Sequence, residues 1–315
     1  MKKAIVIILI IAVVLLGAGG YLVYKGYKDG AFAQEPTITK EYTLEDFDKI
    51  DIDTHVSTVT LANAEDGQAK AVCEEREKMY HNVKVEDNTL VITQTDDLRW
   101  YEHIFGMDNI RVTIYLPKAT YESLKAKCAV GNLKNEKALA FNTVDVNLTT
   151  GNAYIKDVTV AQELNITGET GNVKLENVNA DKIALEASTG NVEAINVVSN
   201  NDFTAKATTG NVKMDGVVAN NMVFSATTGN VYLTKTTSNT ELKVTTSTGN
   251  IRLDQIDAVG EITLKASTGS VKGTIASNRT FFATSSSGSV KVPQTLGPIC
   301  RIETSTGSIS IEIAS

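Results

Sequence analysis

From Leu124 onward, apolar residues return at fixed distances from a recurring glycine. Seven residues before it stand Leu124, Val144, Leu164, Ile183, Phe203 and Met222 in successive copies, and Leu242, Ile262, Phe281 and Cys300 in later ones. Five before it stand residues such as Val146, Ile166, Leu185 and Phe224; two after it stand Val173, Val192, Val212 and Val231. The position four after is mostly apolar, as at Ile155, Leu175 and Leu253. Polar or charged residues separate these columns. That alternation is the period of a strand with one face buried.

The glycines are residues 131, 151, 171, 190, 210, 229, 249, 269, 288 and 307, always 19 or 20 apart. The inward phase slips by one residue at each of them. Such a slip would flip every side chain unless the chain bends there. Glycine suits the bend because it reaches positive φ without a Cβ clash. A further inward site seven after the glycine (Val158, Val178, Val197, Val217, Ile256) adds a looser turn. No helical period is sustained after Tyr24. The pattern predicts an all-β, single-chain parallel β-solenoid (a β-helix) of about ten coils, stacked ~4.8 Å apart.

The residue after the glycine is Asn or Ser in all ten copies. Stacked amides can bond along the axis as they do in cross-β ladders. The Thr-Gly-Asn motif is therefore a turn signature. A phosphate cradle would need a helix N-terminus, and none follows.

Residues 41–118 break the regular pattern. Ile50, Ile52, Val59, Leu61 and Ala64 match the columns if Ser57 takes the glycine slot. A hairpin is expected around Asp87-Asn88, and a strand from Ile110 to Leu116. This region reads as the atypical end unit that a solenoid needs to cover its core, with regular repeats over 119–315. Within it, Asp96 to Asn109 leaves the strand pattern and carries the chain's one Trp. Arg99, Trp100, Tyr101 and Phe105 there either fold over the core's end, form a partner-binding loop, or meet a membrane interface.

At the other extreme, Ala4 to Tyr24 is 21 residues without a charge, preceded by a stub of Met1-Lys2-Lys3. A helix of that length spans a bilayer core of ~30 Å. A single transmembrane signal anchor is expected, followed by a linker over 25–40, with the C-terminal body outside the cell. Cleavage after Ala33, in an Ala-x-Ala setting, is the alternative.

Phe47 to Leu61, Ile110 to Pro117 and serial motifs such as Ser188-Thr189-Gly190-Asn191-Val192 resemble the putative-adhesin or toast-rack family (domain of unknown function 4097) of bacterial β-repeat proteins. The resemblance spans about residues 41–315. It implies a non-enzymatic protein of the cell envelope, linked to envelope-stress signalling and surface adhesion. It carries no binding residues, and this chain has Gly-Asn or Gly-Ser where the family often has Gly-Asp.

The chemistry-bearing residues add little to that picture. The net charge of −7 argues against nucleic-acid binding. Cys73, Cys128 and Cys300 are too few and too scattered for a disulfide framework. His55, His81 and His103 show no metal-ligand spacing, no nucleophile motif occurs, and no cofactor is implied. One outward column departs from the acidic whole. Three after the glycine stand Lys134, Tyr154, Lys174, Glu193, Lys213, Tyr232, Arg252, Lys272, Lys291 and Ser310. This is either a solvated face or an anion-binding stripe centred on Lys174, Lys213, Tyr232, Arg252, Lys272 and Lys291. The final Ile309-Ile311-Ile313 strand has no evident cap and is expected to be an exposed edge open to homotypic pairing. The function expected is a non-catalytic envelope binding or signalling module whose partner is another envelope protein or an anionic wall polymer. The alternative is a passive structural or adhesive surface protein.

Overall fold

The structure is a computed structural model, described over residues 16–28, 36–98 and 110–314. Residues 16–28 are helical. The described strands number 25 and form one continuous hydrogen-bonded sheet that winds on itself. The N-terminal end comprises β1 (Ile38–Thr43), β2 (Lys49–Val56), β3 (Thr58–Asn63), β4 (Lys70–Glu75), β5 (Met79–Glu86), β6 (Thr89–Asp96) and β7 (Arg111–Leu116). The regular coils start with β8 (Thr120–Val130), β9 (Leu133–Asn135), β10 (Leu139–Thr150), β11 (Ala153–Thr170), β12 (Val173–Thr189) and β13 (Val192–Thr209). They continue through β14 (Val212–Asp215), β15 (Val218–Thr228), β16 (Val231–Thr234), β17 (Thr237–Ser238), β18 (Leu242–Thr248) and β19 (Ile251–Ala258). The C-terminal end is β20 (Ile262–Thr268), β21 (Val271–Ile275), β22 (Thr280–Ser287), β23 (Val290–Lys291), β24 (Ile299–Thr306) and β25 (Ile309–Ile313).

The apolar columns of the sequence are stacks in space. Leu164, Ile183, Phe203 and Met222 lie opposite one another in successive parallel strands, as do Val173, Val192, Val212 and Val231. All are buried. A second buried column nine after the glycine (Val160, Ala180, Ser199, Ala219) shows that each coil has a short third side, which the +7 position alone only hinted at. Between the second and third sides the chain turns through a left-handed residue, as at Asn177 and Asn196, both with φ 53°. Asn tolerates that region better than most residues.

At the glycine corner, packing and conformation make the same demand. Gly210 has φ 144°. A Cβ on it would lie 1.9 Å from the carbonyl oxygen of Gly190 in the coil below. The corner is then held along the axis. Gly190 N–H donates to Thr209 O at 2.8 Å, and both the backbone N–H and Nδ2 of Asn211 donate to Asn191 Oδ1 at 3.0 Å. The same amide ladder runs from Asn132 to Asn250 and ends on Ser270 N–H. Ser57 takes the glycine slot of the first coil, as the columns suggested: a Cβ on Gly131 would sit 1.9 Å from Ser57 O.

Both ends depart from simple succession. β2 lies between β6 and β8, and β3 between β7 and β9, so the first coil is second in the stack. The outermost layer is antiparallel: β5 pairs with β6 through the Asp87-Asn88 turn (φ 48° and 60°), and β1 pairs with β4, which pairs with β7. At the other end β24 lies between β20 and β22, and β25 between β21 and β23. The expectation that Ile309-Ile311-Ile313 forms an exposed edge is therefore corrected in part. Ile309 is paired on both sides, while Ile311 and Ile313 pair with β21 alone; the outermost layer is the penultimate segment β22–β23, with Phe282 52% and Val290 43% exposed.

Each crossover past an intercalated coil is held by a long cation. Lys137 Nζ donates to the carbonyls of Leu116, Pro117 and Lys118 at 2.7, 3.2 and 3.0 Å. Arg279, wholly buried, donates to Gly260 O at 2.7 Å and to Ala258 O, and pairs with Asp257.

The corner makes a sharp prediction. Gly210→Ala should lower unfolding free energy by about 3 kcal/mol or more, from φ strain plus the backbone clash. Gly168→Ala should change it by less than about 1 kcal/mol, because its Cβ would meet nothing nearer than 3.6 Å. Urea denaturation followed by circular dichroism distinguishes the two; similar losses would show that the corner does not require glycine.

Candidate binding face and buried end-unit cluster

The basic column lies on the outward face of the strands that follow each glycine. Register places Lys174, Glu193, Lys213, Tyr232, Arg252 and Lys272 in direct succession. The next position is Ser310, and Lys291 lies beyond it. Arg252, Lys272 and Lys291, consecutive in the sequence column, are thus interrupted by one layer, a consequence of the intercalated last coil.

The two halves of the column differ. Lys134 pairs with Glu136 at 2.5 Å, and Lys174 lies 3.5 Å from Glu176, which also accepts from Tyr154 OH at 2.8 Å. Both cations are neutralised by the acid two residues on. Lys213, Arg252, Lys272 and Lys291 are exposed and form no ion pair among the described residues. Arg252 lies over the Tyr232 ring, 5.9 Å from its centroid, an arrangement that orients the guanidinium without neutralising it. Asp215 and Asp254 stand in the adjacent outward column and moderate the local field. Arg99, Trp100, Tyr101 and Phe105, the expected partner loop, lie outside the described residues.

Toward the N-terminal end the same face becomes an open groove of about 640 Å³, lined by Thr58, Thr60, Thr113, Tyr115, Arg111 and Lys134 among others. Its charges are largely satisfied, with Arg111 3.1 Å from Glu74 and Lys70 over the Tyr115 ring at 5.2 Å.

Reading the histidines one at a time missed a cluster inside the end unit. β4 turns inward at Ala71, Cys73 and Glu75. A tight turn closed by reciprocal bonds between Arg76 and Met79 then starts β5, whose inward residues are Met79 and His81. Donor atoms of Cys73, Glu75 and His81 all lie within 4.8 Å of one another, and the three residues are 0, 0 and 1% exposed. His81 Nε2 is 3.0 Å from Ser57 Oγ, while Nδ1 faces Glu75 Oε2 at 3.4 Å and has no hydrogen-bond partner among the described residues. Glu75 Oε2 accepts the His81 backbone N–H at 2.8 Å, and Oε1 pairs with Lys40 at 2.5 Å. Burial pushes the Cys73 thiol up to about 12 and, against the pull of Glu75, holds His81 below its usual range. The sequence signal was the strand phase: an alternation that buries Ala71 and Cys73 also buries a carboxylate at Glu75.

The profile of the toast-rack family, Toastrack DUF4097, matches residues 47–200 and again 162–310. The chain belongs to this family. The two overlapping matches reflect the internal repeat, since one profile length covers about half of the coil stack. Crystal structures similar to this toast-rack protein include a "putative adhesin" of Bacteroides fragilis (19% identity, 89% of this chain and 98% of that one, TM-score 0.45). Another is a "putative adhesin" of Parabacteroides distasonis (12% identity, 88% and 97% coverage, TM-score 0.49). A third is a "putative lipid binding protein" of the same species (14% identity, 88% and 97% coverage, TM-score 0.47). No curated protein matches the chain.

All three cysteines of the toast-rack protein are free and buried, as expected from their spacing. Desolvation pushes the Cys300 thiol up to about 12. An unfolded thiol titrates near ~8.5, so the folded state holds this proton more tightly. Its contribution to stability is complete below about pH 8.5 and is lost as pH rises toward 12. Denaturation midpoints measured at rising alkaline pH should fall, and Cys300→Val should reduce the fall. An identical pH dependence in wild type and variant would contradict the assignment.

Proposed function

We propose that this toast-rack protein is a non-catalytic, membrane-tethered module of the bacterial cell surface that binds an anionic envelope polymer along the outer face of its post-glycine strands. The observation that carries the reading is the set of exposed, unneutralised cations Lys213, Arg252, Lys272 and Lys291, arrayed on a rigid stack inside an acidic protein. A layer spacing of ~4.8 Å suits a repeating polyanion better than one small ligand. Tyr232 adds a flat surface beside Arg252.

The tether is the charge-free run Ala4 to Tyr24. Its first twelve residues lie outside those described, and no helix among the described residues is long and apolar enough to cross a membrane. The tether therefore rests on sequence length and hydrophobicity. Under this reading the chain passes once through the cell membrane, with residues after Lys28 outside. Transmission of a signal through the helix is the regulatory use of such an arrangement. Passive structural or adhesive service at the surface is the second reading, favoured by the rigid amide-laddered stack.

Binding should be modest and steeply salt-dependent, as expected for exposed charges. In a titration of the full chain with purified wall teichoic acid, Arg252→Glu/Lys272→Glu/Lys291→Glu should weaken binding at least tenfold, while Lys134→Glu should have little effect. Equal binding by wild type and the triple variant would remove the stripe from the function. Protection of a C-terminal tag from external protease in intact cells would remove the proposed orientation.

A further inference from the structure

The end unit holds a set of donors that the binding face does not use. We propose that Cys73, Glu75 and His81 form a structural zinc site that joins the two long sides of the solenoid at its N-terminal end.

Three observations carry this. The first is the donor chemistry. A thiolate, an imidazole and a carboxylate form a mixed set that suits Zn²⁺, whereas Mg²⁺ and Ca²⁺ favour oxygen-only cages. The donors already lie within 4.8 Å of one another. Zinc bonds of about 2.0–2.3 Å place tetrahedral ligands roughly 3.3–3.8 Å apart. Closing by about an ångström is within reach of side-chain rotation.

The second is the orphaned nitrogen. Ser57 Oγ lies 3.0 Å from His81 Nε2 and accepts a hydrogen bond from it in one of the two ring tautomers. In that tautomer Nδ1 presents a lone pair to Glu75 Oε2 at 3.4 Å, deep in the core and with no donor between them. Two acceptors facing each other inside a protein are unfavourable. A cation between them resolves the conflict, and a hydroxyl on the far ring nitrogen is the usual outer partner of a metal-bound histidine.

The third is charge. Glu75 is fully buried, and the Lys40 cation that pairs with it has a side chain 47% exposed. Zn²⁺ with one thiolate and one carboxylate is neutral, which removes most of the cost of burying the acid. Lys40 then serves the outer oxygen of the carboxylate.

The location gives the site a purpose. β4 joins the post-glycine side through β7, and β5 joins the pre-glycine side through β6. Antiparallel end strands have no glycine corner or amide ladder to hold them, and a metal shared by both replaces those devices.

The test uses the full chain, stripped with chelator and titrated with Zn²⁺ alone. One zinc per chain should bind, and the thermal midpoint should rise. Co²⁺ in its place should show a thiolate-to-cobalt charge-transfer band in the near ultraviolet. Cys73→Ser should abolish that band, and His81→Gln should remove stoichiometric zinc. Ser57→Ala should weaken zinc binding by about 10–100-fold, the usual effect of losing an outer partner. Cys128→Ser and His55→Gln should leave binding unchanged. A folded wild-type chain that retains no zinc, or whose cobalt form lacks the thiolate band, overturns the proposal even if the variants fail to fold.

Discussion

Everything in this molecule depends on one contact: the carbonyl of each corner glycine sits where the next coil's glycine would carry its Cβ. Because no side chain can occupy that space, successive corners nest directly on one another, and every neighbouring column falls into register. The apolar stacks, the amide ladder and the outward stripes follow from it geometrically. A residue with a Cβ at such a corner would have to push two coils apart, and the mismatch would spread through rows of tightly packed Val, Leu and Ile. The sole exception is the first coil, where Ser57 takes the slot and receives the next glycine above it.

A nested stack solves the middle of a solenoid and creates a difficulty at its ends, where a core and a row of backbone groups would face water. Both ends answer it by intercalation. The coil that would have been outermost in chain order is inserted one layer inward, and the neighbouring segment wraps outside it. Long-range crossovers result, and each is held by a cation that bonds to backbone carbonyls, Lys137 at one end and Arg279 at the other. The N-terminal end goes further, adding the antiparallel strands that enclose Cys73, Glu75 and His81. The exposed Phe282 and Val290 show that the C-terminal end is covered less completely.

The coils were legible in the sequence because a period of 19 or 20 residues, with the alternation slipping at a fixed residue, admits few other structures. Coil order at the ends was not legible. The spacing from Gly269 to Gly288 to Gly307 is the same as elsewhere, and the inward residues of both last coils fit the same columns. Strand pairing depends on which neighbour fills a slot, and periodicity does not record that. Arg279, the cation at that crossover, falls nine before Gly288, a slot that earlier coils fill with Asp181, Asn201 and Asn220, so its charge does not stand out in the sequence. The stripe was legible as a column of charges. Its division into a neutralised and a free half was not, because that depends on acids one column away. The buried cluster was visible only through strand phase, since its three residues match no recognised metal spacing.

The intercalated order of the last coils is the most demanding element of this account, and engineered cross-links test it directly. Register puts Lys272 beside Ser310, with Lys291 one layer beyond. Neighbouring strands are ~4.8 Å apart and alternate layers ~9.6 Å, while a disulfide needs Cα atoms within about 7 Å. With Cys300 and Cys128 replaced by valine, the Lys272→Cys/Ser310→Cys pair should oxidise to an intramolecular disulfide. The Lys272→Cys/Lys291→Cys pair should remain reduced. A disulfide in the second pair and none in the first would show that the coils stack in simple chain order.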